Sequence, residues 1–393
     1  METERLYYND SFLREFEARV IACETSGSQF HVVLDRTAFY PTSGGQPYDT
    51  GQLGKAAVVD VIESDDGAIV HVADRAVELG PVHGTIDWQR RFDHMQQHTG
   101  QHLLSAAFIE LFKMQTVSFH LGGESSAIDL AGAALSSSQA EAAERLTNQI
   151  IFEDRAVEVH YGTREELAAL GVRKEVEREG VLRGIGVNNF DLQPCGGTHV
   201  ARTGQVGPVL LRKIDRQKQN WRVEFVCGGR AMRAARTDFA ALSEAARLLT
   251  CGHPEVPAML EKALEERKQS QRSRQVLLEA LAGFEAKELL RGVEDGGARI
   301  VVRVFDDADP AYLRMVATRL AAEPGVQALL AARGGGHVVF AQSPGVATDM
   351  NTLLREALHA AGGKGGGTRD FAQGSVPDAT RVEAVLAAVR SRL

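Results

Sequence analysis

The chain has 393 residues and a mass of 42.6 kDa, which corresponds to roughly two to four domains and excludes a single small module. With 44% hydrophobic and 24% charged residues it has the make-up of a folded globular protein, excluding wholesale disorder and fibrous repeats. A formal net charge of −8 argues against nucleic-acid binding spread over the whole surface, leaving room only for a local basic face.

No stretch approaches the roughly 18 apolar residues of a membrane span, and the start METERLYYNDSF is charged and polar. Neither a membrane anchor nor a secretory signal is expected, and the expected location is cytoplasmic. The cysteines, Cys23, Cys195, Cys227 and Cys251, are too scattered for a disulfide framework in a chain of this length. A special cysteine would therefore be a metal ligand or a nucleophile.

In chain order, residues 1–90 read as short strands (HVVLD, AAVVDVI, AIVHVAD) around a turn-rich loop, FYPTSGGQPYDTGQLG, which predicts a small β-barrel or sandwich. Near Asp93 the pattern turns helical, with Leu103, Leu104, Ala107, Phe108, Leu111 and Phe112 at three- and four-residue steps behind an aspartate N-cap. To about residue 240, helices (QAEAAERLTNQII, REELAAL) alternate with strands (TVSFHL, AVEVHY, WRVEFVC), an α+β pattern over 91–240. A helical linker is predicted over 241–294, where Met259, Leu260, Leu264, Val276, Leu277, Leu281, Phe284 and Leu289 recur at helical spacing. After Asp295-Gly296-Gly297 the chain resumes as strands and helices, an α/β domain over 295–393. The fold class is thus α+β, ending in an α/β domain.

His98 and His102 in HTGQH stand four apart on the predicted helix, so both project from one face. Cys195 and His199 in PCGGTH repeat that spacing around two glycines. One thiolate and three imidazoles suit zinc. The glutamate of HExxH is missing, since Thr99, Gly100 and Gln101 separate the two histidines, so a peptidase of that type lacks its base. His94 is read as a neighbour of the ligands rather than one of them. In TVSFHL, alternation would put Thr116, Ser118 and His120 on one strand face, with hydroxyls and an imidazole to orient a polar substrate or a water, and Val117, Phe119 and Leu121 on a core face. Between Arg202 and Asp238, nine basic residues face three acids, locally net +6, a pattern that a solvated face or a nucleic-acid contact would both produce.

FYPTSGGQPYDTG, HTGQH, SFH and PCGGTH, in this order and at these intervals, resemble the editing domain of alanyl-tRNA synthetases and their free-standing AlaX relatives. GGKGGGTRDFAQGSV is similar to the signature of the DHH-associated C-terminal domain, so nearly the whole chain resembles the long form of AlaX. No DHH phosphoesterase motif accompanies it: Asp93-His94-Met95 has methionine in the place of the second histidine. No aminoacylation core precedes residue 1, so deacylation rather than charging is expected.

The resemblance implies zinc-dependent hydrolysis of tRNA(Ala) mischarged with serine or glycine, with zinc held by His98, His102, Cys195 and His199. It implies catalytic roles for Thr116, Ser118 and His120, and substrate contacts from Thr99 and from the Ser43-Gly44-Gly45-Gln46 loop. A site that selects serine must hydrogen-bond its hydroxyl, because a pocket built for alanine rejects it only weakly. Arg212, Lys213, Arg216, Lys364 and Arg369 are the expected tRNA contacts. A homodimer through the helical linker or the C-terminal domain is also expected. The alternative is a non-catalytic, zinc-stabilised tRNA-binding module, since four protein ligands ordinarily close a zinc site.

Overall fold

The computed structural model describes residues 3–173, 180–293 and 299–393. They form two compact units, Met1–Glu244 and Ala245–Leu393. The glycine turn at 295–297 and Glu294 at the end of the predicted linker lie outside the described residues.

The first unit opens with a closed six-stranded barrel. Its strands run around the barrel as Glu15–Ser26, Gln29–Leu34, Ile69–Ala73, Ala56–Glu63, Gly51–Leu53 and Gly80–Ile86. The ring closes where Glu15 pairs with Thr85, leaving none of the six with an open edge. Phe16, Val20, Val32, Leu34, Leu53, Val61 and Ile69 fill its interior. Three of these strands, Glu15–Ser26, Gly51–Leu53 and Gly80–Ile86, escape a reading by pattern. Glu15–Ser26 alternates Phe16, Ala18, Val20 and then slips at a bulge between Val20 and Ala22, while Gly51–Leu53 lies inside what reads as loop.

Helix α1 (Trp88–Phe112) leaves the barrel. Its N-cap is Asp87, whose carboxylate accepts from Arg90 N, six residues before the expected Asp93. Asp93 is instead inside the helix and ion-paired with Arg230 at 2.6 Å. The side chains from Met95 to Phe108 are nearly all buried, so α1 is surrounded by protein instead of lying on a surface. Its N-terminal turn is fastened to the barrel by Arg91, which has no exposed surface and donates to Asp49, Ala38 O and Ser11 O.

An antiparallel sheet ordered Val209–Gln217, Asn220–Cys227, Ser126–Ala131, Thr116–Leu121 covers α1 and α2 (Ser137–Phe152). Ile128, Leu130, Val223 and Phe225 on its inner face join Leu104, Ala107 and Phe108 of α1 in one core. A second, three-stranded antiparallel sheet, Val157–Gly162, Leu182–Val187 and Asp191–Pro194, follows, with the short α3 (Arg164–Ala169) beside it. Its last strand delivers the chain to Cys195. Helix α4 (Gly228–Leu249), which the sequence pattern did not separate from the linker, carries the boundary of the unit.

In the second unit, α5 (Val256–Arg291) is one 36-residue helix. Beyond it a five-stranded sheet is ordered Arg299–Phe305, Val326–Ala332, His337–Gln342, Phe371–Ser375, Lys364–Gly367. Only the first pair is parallel; the rest are antiparallel, so the sheet is mixed where an α/β alternation was read. Ala328, Leu330, Val339 and Ala341 face α5 and α6 (Pro310–Ala321). Leu329, Ala331, Val338 and Phe340, their alternates, face α7 (Met350–Ala360) and α8 (Val382–Arg390). The glycine-rich tail is a paired hairpin with Gly365 opposite Gly374, and Ala372 and Val376 of it pack into the core beside Leu354 and Leu358 of α7. No helix among the described residues is long and apolar enough to cross a membrane.

Candidate metal centre and its surroundings

Helical spacing puts His98 and His102 on one side of α1, and the Cys195–His199 loop folds onto that side. The four ligand atoms all lie within 4.8 Å of one another. Cys195 Sγ is 3.5 Å from His98 Nε2 and 3.3 Å from His199 Nε2. A tetrahedral zinc with bonds of about 2.0 Å to nitrogen and 2.3 Å to sulfur needs sulfur-to-nitrogen separations of about 3.5 Å, which these two distances match, and the donor set suits zinc in its chemistry.

Burial holds all three imidazoles neutral: it lowers His98 to about 3, aided by Arg183 and His94. His102 and His199 are pushed well below the ordinary histidine value by burial and then by neighbouring histidines. Neutral imidazoles keep a lone pair for a cation. Burial raises the Cys195 thiol, so a cation at the centre is what would favour its thiolate.

The Nδ1 atoms face other protein groups. That of His98 lies 2.9 Å from Gln46 Oε1, that of His199 is 3.0 Å from Thr99 Oγ1, and that of His102 is 4.0 Å from Asp191 Oδ2. Such outer partners orient ligating histidines. Asp191 is raised to about 6 by burial, opposed by Arg173, with which it pairs at 2.8 Å. Arg183 secures the ligand loop by donating to Cys195 O at 2.7 Å and Gly197 O at 2.9 Å. His94, one turn before His98, is buried, is lowered to about 4 chiefly by that burial, and lies outside the cluster.

The structure redistributes the other expected site residues. A bulge between Asp129 and Leu130 shifts the register of Thr116–Leu121, so Thr116 leaves the face that Ser118 and His120 share. Thr116 turns to α1 and donates to Ser105 Oγ at 2.7 Å. Ser118 donates to Asp129 Oδ2 at 2.5 Å, and the 57% exposed His120 ring lies 3.6 Å from the same carboxylate. Arg222 pairs with Asp129 at 2.8 Å and holds it down at about 2. Phe119, between them, faces the centre instead, its ring stacked on His98 with centroids 5.4 Å apart. Val117, assigned to the core face, is 52% exposed at the bulge.

Thr99 has its hydroxyl on His199 and on Val200 N, behind the ligands. Gly44 and Gly45, with φ of +55° and +84°, make the tight turn that returns Ser43 to Gln46, and Gln46 is wholly buried. A cleft of about 1080 Å³ opens onto Cys195, with Tyr8, Ser43, Tyr161, Arg183 and Gly196 in its wall.

Acids from elsewhere neutralise much of the basic segment: Arg202 pairs with Asp154, Arg222 with Asp129 and Arg230 with Asp93. Arg212 pairs with Asp238 and Lys213 with Asp215, and Arg216 donates to Ala133 O and lies over Trp221. In the second unit, Lys364 lines a smaller cleft with Arg314 and His337, while Arg369 donates to Ala347 O at 2.8 Å.

A closed barrel followed by an α+β body with a three-histidine, one-cysteine centre defines a class. Consistent with it, the model of tRNA synthetases class II (A) matches residues 3–90, and the threonyl and alanyl tRNA synthetase second additional domain matches 182–224. The DHHA1 domain matches 297–393. The chain is 32% identical over 390 residues to the alanyl-tRNA editing protein AlaX-L of Pyrococcus horikoshii, covering 95% of this chain and 94% of that one. It is 31% identical over 404 residues to the alanine–tRNA ligase of Pyrococcus abyssi, covering 99% of this chain and 43% of the ligase. With the ligase of Archaeoglobus fulgidus the identity is 34% over 396 residues, covering 95% and 42%. The chain belongs to the AlaX-L family of alanyl-tRNA editing proteins.

Proposed function

We propose that the protein is a trans-acting deacylase that hydrolyses the ester of tRNA(Ala) mischarged with serine or glycine, with zinc held by His98, His102, Cys195 and His199. The observation that carries this reading is the convergence of those four side chains, one of which, Cys195, lines a cleft large enough for an aminoacylated nucleotide. A bound zinc would supply positive charge to polarise the ester carbonyl or to acidify a water. The chain's own residues do the rest. Arg183 fixes the ligand loop through two carbonyls, Thr99 and Gln46 hold ligand imidazoles from behind, and Ser43 and Gly196 line the way to Cys195.

Contacts of the tRNA with Arg212, Lys213, Arg216, Lys364 and Arg369 belong to the same proposal. So does a homodimer through α5, whose Leu260, Leu264, Val276, Leu277, Leu281 and Phe284 are exposed. The test is deacylation of Ser-, Gly- and Ala-tRNA(Ala) by the zinc-loaded full chain. Serine and glycine should be released and alanine retained. A chain that binds tRNA and leaves all three esters intact is instead the non-catalytic module that four protein ligands would allow.

A further inference from the structure

Three imidazoles can share one cation only if each presents a lone pair on the ring nitrogen that faces it, and an acceptor at the opposite nitrogen favours that tautomer. Three groups stand behind the three rings, and they differ in what they can enforce. Asp191 is 4.0 Å from His102, beyond a hydrogen bond. Thr99 presents a hydroxyl to His199, which can donate or accept. Gln46 is different.

Its side chain is wholly buried and has three partners. Its Oε1 lies 2.9 Å from His98 Nδ1 and 3.1 Å from the backbone N of Thr198, and its Nε2 donates to Thr198 Oγ1 at 2.9 Å. The Thr198 backbone N–H can only donate, so the amide atom facing it must be the oxygen. That oxygen can only accept, so the proton of the neutral His98 ring must sit on Nδ1. The lone pair then stays on Nε2, the atom 3.5 Å from Cys195 Sγ.

We infer that Gln46 is a positioning residue for the metal centre: it sets the tautomer and direction of His98 and ties α1 to the Cys195–His199 loop. This inference rests on the zinc reading above. Local glycines make the arrangement possible. A Cβ on Gly197 would lie 2.5 Å from His98 Nδ1 and 3.0 Å from Gln46 Oε1, so only glycine lets the loop close over this pair. The loop that leads into the barrel strand Gly51–Leu53, not α1 or the Cys195–His199 loop, thereby supplies the group that readies His98.

The test uses the full chain, freed of metal and titrated with zinc against a chromophoric chelator. Gln46→Ala should bind zinc about 10- to 100-fold more weakly than wild type. Gln46→Glu keeps an oxygen acceptor for both His98 and Thr198 N, and the Thr198 hydroxyl can turn to donate, so it should bind near the wild-type level. Thr198→Val, which replaces the hydroxyl with a methyl and leaves the Thr198 N–H on Gln46 Oε1, should do the same. Nitrogen-15 spectra of the metal-free wild type labelled at histidine should show His98 as the Nδ1–H tautomer. The inference is overturned by wild-type affinity in Gln46→Ala, by Gln46→Glu binding no better than Gln46→Ala, or by the Nε2–H tautomer in wild type. The spectrum decides even where Gln46→Ala does not fold. Wild type that binds no zinc sinks the zinc reading instead, and the tautomer measurement still decides the role of Gln46.

Discussion

Replacing Arg91 with methionine tests how α1, and with it two of the four ligand side chains, is seated on the barrel. Arg91 and Asp49 both have no exposed side-chain surface. The guanidinium donates from Nε to both Asp49 oxygens at 3.0 Å, from Nη2 to Asp49 Oδ2 and Ala38 O at 2.5 Å each, and from Nη1 to Ser11 O at 3.0 Å. Methionine fills the stem and removes every donor, leaving the Asp49 carboxylate with Tyr40 N, at 2.7 Å, as its remaining partner. An uncompensated buried charge costs about 3–5 kcal/mol, and the two stranded carbonyls favour the upper end of that range. Adding Asp49→Leu removes the stranded charge, so the double variant should be more stable than Arg91→Met alone. Urea unfolding of the full chain followed by tryptophan fluorescence reads the relevant unit, because both tryptophans, Trp88 and Trp221, lie within Met1–Glu244. A loss under about 1 kcal/mol for Arg91→Met, small against the cost of a stranded charge, would refute the reasoning. So would a double variant less stable than the single.

Burial of His71 gives the barrel a pH dependence. Its Nδ1 donates to Val32 O at 3.0 Å, its Nε2 accepts from Thr37 Oγ1 at 2.8 Å, and burial lowers it from 6.5 to about 4. Above pH 6.5 the ring is neutral whether the chain is folded or not. As the pH falls from 6.5 towards 4 the unfolded chain takes up a proton that the folded one refuses, so stability drops by roughly 3 kcal/mol across that window. Urea midpoints between pH 7 and 4 should show this slope and His71→Gln should flatten it; equal slopes would contradict it. Because Ser118 and His120 engage Asp129 rather than the centre, Ser118→Ala and His120→Ala should deacylate Ser-tRNA(Ala) at rates near wild type. A 100-fold loss in either would return them to the reaction.

The cluster of His98, His102, Cys195 and His199 was legible because it rests on local spacing: four residues along a helix, and four along a glycine-opened loop, each bring two side chains together whatever the rest of the fold does. The barrel showed through turn residues and short alternating runs. What stayed hidden depends on distant partners. Gln46 reads as part of a turn until the fold places it beside His98, 52 positions away. The face of Thr116 was inverted because one bulge, fixed by pairing with Ser126–Ala131, breaks the two-residue period. The glycine tail could not be read as strands, since Gly365, Gly366 and Gly367 offer no side-chain pattern and pair through the backbone alone. The charge run between Arg202 and Asp238 looked free because the aspartates that pair with three of its arginines, Asp93, Asp129 and Asp154, stand far upstream.

The central claim is chemical, and one comparison addresses it. Zinc-loaded wild type and Cys195→Ala are each given tRNA(Ala) charged with radiolabelled serine, with Ala-tRNA(Ala) in parallel, and the label remaining on the tRNA is followed with time. The account predicts rapid loss of serine with wild type, retention of alanine, and retention of both with Cys195→Ala. Serine that stays bound in the presence of the wild-type protein, or leaves as fast with Cys195→Ala, would contradict it.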